Sequence, residues 1–505
     1  MRQHLTHKVR AQQTTFDRIA NFADVSAQVA LLLLRTCVNK ANTQIARLAS
    51  PVASEEALML HDDFVERTLA HIVREDRLPE LTVQQIQLPL NKGGLGLTRL
   101  AEIRKLAYLS SVTNTIAQWR NFIPDKHPFL VHWLRPPEPD SVLQHCLTVA
   151  HEIISVSNAN KSTIQTSRVL LPSTTADLIS FKNIYKMQHN LTTHYTNVKF
   201  AQFVSQLNTR QKAAFNASCA DYASSFLQTI PSEPALTLTN NEMFVGLSTY
   251  LHLPLVQKLG GDPTKECHCN TEGRQCNDQH VFNCRGNAIM TKRHEAIANN
   301  LRALLQHLNL TPKRELKCSL NPRDTHRYDI SLDNFKNLAH FNVDVTVVNA
   351  LREVFLAGTS TQPGHAAQRA ESAKNKKYSR FTFVNEQFLA FAVEVQGGLG
   401  KRAVEFLKHL SFLAADTPPE GTTWATSTFM QWATQTTSCT LIKANTANLM
   451  DTIAFTKRAH SSGYLKAAQL AIEDEAELDD VLAAQVDDYL VDEFGNELDN
   501  GDAAE

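Results

Sequence analysis

Apolar positions recur at helical spacing through residues 25–48 and again through 57–73, the three-to-four-residue period of helices with one buried face. Ser50 and Pro51 separate the two stretches, and proline suits a first helical turn, where its missing N–H costs nothing. The run Val29, Ala30, then four leucines ends at Arg35. It reads as a buried helix segment, since a membrane span needs ~20 apolar residues. A glycine-rich extended crossing follows, Leu88-Pro89-Leu90-Asn91-Lys92-Gly93-Gly94-Leu95-Gly96-Leu97, and then a helix over 99–116. Residues 124–259 mix Thr and Asn with apolar positions and predict more helix. A helical pattern covers 291–308, and beyond Pro312 the period becomes two. Strands are predicted over 326–332, 340–349 and 388–396, with a helix over 366–380 between the last two. A compact α/β block of about a hundred residues is expected there.

Charge changes this picture at one end. The chain carries 50 Lys and Arg against 51 Asp and Glu, yet fourteen of the acids lie in residues 473–505, which hold no Lys or Arg. The remaining body has 50 basic and 37 acidic residues, a net charge of about +13. Such a body attracts polyanions, and nucleic acid is the first of these to consider. The acidic tail reads as a solvated, disordered end or as a cover for that basic surface. The N-terminus, Met1-Arg2-Gln3-His4, has no apolar signal-peptide core behind it.

Five of the nine cysteines are scattered singly: Cys37, Cys146, Cys219, Cys318 and Cys439. The other four, Cys267, Cys269, Cys276 and Cys284, crowd one window that also holds His280. That is the distribution of a metal site in a reducing compartment, not of a disulfide framework. Thiolates and imidazole are the ligands zinc prefers, four at the corners of a tetrahedron. The spacing His280-x3-Cys284 puts two ligands on one side of a helical turn. A structural Zn2+ is expected on Cys267, Cys269, His280 and Cys284, with Cys276 or His268 as replacements.

The strands carry a second constellation. Phe341, Val343, Val345 and Val347 alternate with Asn342, Asp344, Thr346 and Val348, so Asp344 faces away from the apolar set. Fourteen residues separate it from Asp329 upstream. In the third strand Glu394 shares a face with Gln396. On the helix between, Lys374 lies on the side of Glu371, Lys377 and Tyr378. Phosphodiester hydrolysis needs carboxylates to hold Mg2+ and a cation to steady developing charge. Asp329, Asp344, Glu394 and Lys374 or Lys377 supply those residue types, and a solvated helix face accounts for the lysines equally well.

Several segments, in order, resemble one family. Leu31–Leu34 with Arg35, Thr36 and Cys37, then Arg47 and Pro51, then Leu88 through Leu97, resemble the thumb that follows the polymerase in non-LTR retrotransposon reverse-transcriptase polyproteins. Cys267, Cys269, His280 and Cys284 resemble the zinc knuckle of those with a restriction-like endonuclease, and Arg293-His294-Glu295 the basic-His-acidic motif after it. Arg327-Tyr328-Asp329-Ile330, Asp344-Val345-Thr346-Val347, Lys374–Tyr378 and the turn Gly397-Gly398-Leu399-Gly400 resemble that endonuclease's segments. The resemblance covers residues 20–120 and 260–415. It implies a multi-domain chain with a mainly α N-terminal half. The divisions would be a helical thumb-like region (1–120), a mainly helical linker (121–260) and a zinc knuckle with its helix (261–300). An α/β restriction-endonuclease-like PD-(D/E)xK domain (301–415), a helical extension (416–472) and the disordered acidic tail (473–505) would follow.

By the same resemblance Asp329 and Asp344 would hold catalytic Mg2+, with Lys377 or Lys374 as the displaced motif lysine and Arg293 and His294 toward nucleic acid. DNA and retroelement RNA would be the partners, with no membrane, and the nucleus the location. Tyr328 stands where the family has proline, and Thr346 where a simple motif has its lysine. No polymerase active site is expected: Asp62-Asp63 lies in a helical pattern, and Val25 replaces the second aspartate after Phe22-Ala23-Asp24. Gly397–Lys401 lacks the spacing of a phosphate loop. The rival expectations are a non-enzymatic nucleic-acid-binding relic and an unstable fragment.

Overall fold

The computed structural model describes residues 1–124, 126–128, 131, 138, 141–159, 186–267, 269, 274–284, 289–318, 326–382, 385–416 and 428–462. The acidic tail at 473–505 and His268 lie outside them. The described chain is mostly helical, with one small mixed sheet, and divides between Lys212 and Ala213 into two compact units.

The first unit is helical: α1 (Arg2–Arg10), α2 (Gln13–Leu33), α3 (Thr43–Leu48), α4 (Pro51–Ile72), α5 (Glu80–Gln87), α6 (Leu100–Trp119), α7 (Val142–Ala159) and α8 (Met187–Gln206). Helix α4 starts on Pro51 and buries Leu58, His61, Asp62, Val65, Leu69 and Ile72, one stripe at three-to-four-residue spacing. Within the run at residues 29–34, Ala30, Leu31 and Leu34 are fully buried, whereas Leu33 is exposed and Val29 and Leu32 are half-buried. By length and composition alone the helical Arg2–Leu48 stretch could also cross a membrane, although its run at residues 29–34 by itself is too short to do so.

The glycine-rich crossing folds back on α5. Leu95 and Leu97 both donate to the Ile86 carbonyl, and Gly93 and Gly96 take positive φ at 72° and 71°. A Cβ on Gly94 would stand 2.0 Å from the Leu88 carbonyl oxygen, so only glycine fits. Arg35 donates to the Leu95 carbonyl at 2.8 Å and Asn39 to that of Gly96 at 3.3 Å. Asp62 is a helix cap: its two oxygens accept the Leu100 and Ala101 amides at 2.9 Å each. That is a structural role, as its helical setting indicated.

After α9 (Thr209–Ser218), the second unit contains α10 (Asn240–Leu251), α11 (Ile289–His307), α12 (Glu353–Thr361), α13 (His365–Tyr378), α14 (Lys401–Asp416) and α15 (Phe429–Ser462). Its sheet runs β1 (Lys313–Lys317), β2 (Arg327–Phe335), β3 (Leu338–Val348) and β4 (Glu386–Glu394) in that spatial order. The first two pairings are antiparallel and β3–β4 is parallel, with α12 and α13 in the crossover. Lys336 and Asn337 both have positive φ between the paired Phe335 and Leu338. That is the two-residue turn whose twist matches a hairpin.

Phe341, Val343 and Val345 join Ile330, Leu332, Phe391 and Val393 in one core beneath α11, α14 and α15. Ala390 and Ala392 are also fully buried, with Ala367 and Ala370 of α13 packed on Ala392. The divisions drawn from sequence at 260, 300 and 415 do not separate compact bodies. Leu449 and Ile453 of α15 pack with Val281, Phe282 and the knuckle cysteines, and Trp432 and Leu441 pack on the sheet. One helix therefore closes both cores.

Candidate functional site

The knuckle is built by a tight return of the chain. Cys267 donates its amide to the Arg274 carbonyl and Cys276 to that of Lys265, flanking a Glu266–Gln275 bridge. The Asn277 side chain accepts the His280 amide at 3.0 Å and sets the turn carrying His280 and Cys284. The ligand atoms of Cys267, Cys269, His280 and Cys284 all lie within 4.8 Å of one another. A tetrahedron with Zn–S of ~2.3 Å and Zn–N of ~2.0 Å has edges of about 3.8 Å between sulfurs and about 3.5 Å from sulfur to nitrogen. The observed separations are 3.6 Å for Cys267–Cys284 and 3.3 Å for Cys269–His280. This donor set can hold a zinc ion. Cys276 stands outside it, buried, with its thiol against Cys267 and Thr456.

The carboxylates meet on the sheet. Ile330 pairs with Val343 and Ser331 with Asn342, and the same register carried one step further sets Asp329 opposite Asp344. Both are buried, at 7% and 4% exposure. Asp344 Oδ2 lies 2.7 Å from Lys374 Nζ, and its Oδ1 accepts from the Tyr378 hydroxyl at 2.6 Å. Asp329 Oδ2 accepts from the Val345 amide at 2.6 Å and faces His294 Nε2 at 2.9 Å.

Burial alone would raise the Asp329 pKa, but the His294 hydrogen bond and charge, the Val345 amide and Lys374 outweigh it and hold the carboxyl below its usual range. Desolvation likewise opposes the charge on His294 and on Lys374. The facing aspartates prevail in both, raising both pKa values. The cluster therefore sets two buried carboxyl groups against an amine and an imidazole.

The other named residues are placed differently. Lys377 lies over the Tyr378 ring at 5.6 Å, and burial followed by repulsion from Lys374 lowers its pKa. Of the two lysines, Lys374 is the one paired with Asp344. Glu394 is outside the cluster: Asp344 pairs with Ala390, whereas Glu394 pairs with Val348, four residues or ~13 Å along the strand. Its Oε1 accepts the Ala367 amide at 3.1 Å in the first turn of α13.

Arg293 does not face solvent for nucleic acid. It is 3% exposed, and its Nη2 donates to the Phe282 carbonyl at 2.7 Å. Helical spacing turns consecutive residues to different sides, so Arg293 points into the knuckle while His294 reaches Asp329. Tyr378 and His294 are the partners that strand alternation could not reveal, although the four-residue step from Lys374 to Tyr378 marks one helix face. Glu371, on that face too, instead caps α14, its Oε1 accepting the Arg402 amide at 2.9 Å. No protein-family model and no curated protein matches the chain.

Proposed function

We propose that the second unit is a metal-dependent DNA-nicking endonuclease module of the restriction-like PD-(D/E)xK type, carried by a retroelement-derived, DNA-binding protein. The observation that carries this reading is the meeting of Asp329 and Asp344 on neighbouring strands with Lys374 at 2.7 Å. A sheet ordered antiparallel, antiparallel, parallel, with a helix in the crossover delivering the lysine, supports it. So does the order of the family-like segments along the chain.

Two carboxyl groups on neighbouring strands are the residue type, hard oxygen donors, that Mg2+ takes. Bound there, Mg2+ would supply Lewis-acid stabilisation of charge on the scissile phosphate. Lys374, held protonated, steadies charge on the phosphate oxygens. Tyr378 orients Asp344, and His294 holds Asp329 ionised. Glu394 has no part in this centre. Zn2+ in the knuckle is structural, DNA and retroelement RNA are the partners, and the nucleus is the location.

A non-enzymatic nucleic-acid-binding relic is the second reading. Lys374 and His294 already lie against both aspartates, so each carboxyl has a partner without a metal.

The test is nicking of supercoiled plasmid in Mg2+ or Mn2+ by the full chain beside Asp344→Ala, with Asp344→Asn as the fold-preserving control. Wild-type nicking lost in both variants, with DNA binding retained, supports the nuclease. Nicking that persists in them sinks it. Folded, zinc-loaded wild type that binds DNA with a steep salt dependence yet never nicks moves the assignment to the relic. Lys374→Met should cost nicking about 100-fold or more, the scale of losing one preorganised charge-stabilising donor.

A further inference from the structure

The basic residue next to His294 has no surface to serve. The Arg293 guanidinium is buried, donates to the Phe282 carbonyl at 2.7 Å and lies 3.5 Å from Asn445 Oδ1 of α15. Phe282 sits midway between His280 and Cys284, two of the four candidate zinc ligands. With both neighbours held by a metal, the direction of its carbonyl is set. One residue along α11, His294 bonds Asp329 at 2.9 Å. A helix turns as a rigid body, about 100° per residue, so the setting of Arg293 is also the setting of His294.

A second strut joins the same parts. Asn349, just past β3, donates to Asn283 of the knuckle at 3.0 Å and accepts from Gln396 at 2.7 Å.

We propose that Arg293 is a positioning residue that couples the metal-loaded knuckle to Asp329. The Phe282 carbonyl fixes the guanidinium, the guanidinium fixes the rotation of α11, and α11 presents His294 to the carboxylate. The knuckle is then a clamp on the carboxylate cluster, not a separate nucleic-acid finger. A guanidinium suits the task because its planar fork reaches two acceptors in fixed geometry, and leaving it unpaired in the interior is costly. The inference rests on the nuclease reading only for the role of Asp329.

The test uses the full chain with 15N-labelled histidine. A slowly exchanging, downfield Nε2–H signal reports the His294–Asp329 bond, and zinc content is measured on the same samples. The signal should be present in zinc-loaded wild type. It should be lost when a chelator strips the zinc, and lost again in zinc-loaded Arg293→Met with zinc content unchanged. Arg293→Lys, which keeps one donor for the Phe282 carbonyl, should retain part of it.

Persistence of the signal in zinc-free wild type or in zinc-loaded Arg293→Met overturns the proposal. So does loss of zinc from Arg293→Met, because the arginine would then support the knuckle instead of transmitting its setting. Where zinc-free protein or Arg293→Met fails to fold, Arg293→Lys decides, with an undiminished signal counting against the coupling. Neither readout needs cleavage, so a chain that never nicks DNA still passes or fails.

Discussion

Glu394 has no solvent exposure, yet its carboxyl stands at the first turn of α13, where Oε1 accepts the Ala367 amide. Burial pushes its pKa up to about 7, against the opposing amides of Ala367 and Ala366. Burial likewise raises Asp62 to about 7 despite its amide bonds. A carboxyl whose folded pKa exceeds its unfolded value contributes stability below the unfolded pKa, near pH 4, and loses it as pH climbs toward 7. The contribution of these two groups to stability should therefore fall between about pH 4 and pH 7. Glu394→Gln keeps an oxygen for Ala367 and cannot ionise. Its stability relative to wild type should rise by up to a few kcal/mol from pH 5 to pH 8. Parallel profiles would mean that Glu394 is ionised in the folded protein. Its carboxylate was legible in the sequence as a charged residue on a strand face, but not its distance from Asp344. Alternation assigns a face, and only the β3–β4 register shows that Ala390 is the residue beside Asp344.

At the scale of elements, the start of α14 and the turn after α5 depend on glycines. A Cβ on Gly400 would stand 2.1 Å from Glu371 Oε1, the atom that caps α14, and one on Gly94 would meet backbone at 2.0 Å. Backbone cannot swing aside as a long side chain does. Gly94→Ala should cost about 1–3 kcal/mol, the range for overpacking, read as faster amide exchange in α4 and α6. Unchanged exchange would show that the crossing relaxes freely. Long helices and the apolar strands were legible because one buried face leaves a period in the sequence. Strand β1 was not: nearly all its side chains are exposed at the sheet edge, so no alternation marks it. The hairpin turn at Lys336-Asn337 was missed because neither residue is the glycine that usually signals positive φ.

Over the whole molecule, the knuckle shares its core with Phe244, Val245, Leu255 and Val256 and with Leu449 and Ile453 of α15. Stripping a bound zinc should therefore loosen more than the cysteine loop. Amide exchange in α11 and α15 should rise, with α4 and α6 of the first unit as the internal reference. An effect confined to residues 265–284 would show that the core holds without metal. The sequence by itself determined the two chemical inventories. Four sulfur and nitrogen ligands crowd one window, and two aspartates and a lysine sit on elements whose type follows from apolar periodicity. Both are local properties, set by spacing along the chain. Only the tertiary structure decided that Lys374 rather than Lys377 meets Asp344, that His294 faces Asp329, that Arg293 turns inward and that Glu394 stands apart. Those outcomes depend on strand register, on the rotation of α11 and α13 against the sheet, and on burial. Each is set by contacts between segments distant in sequence, which no local pattern records.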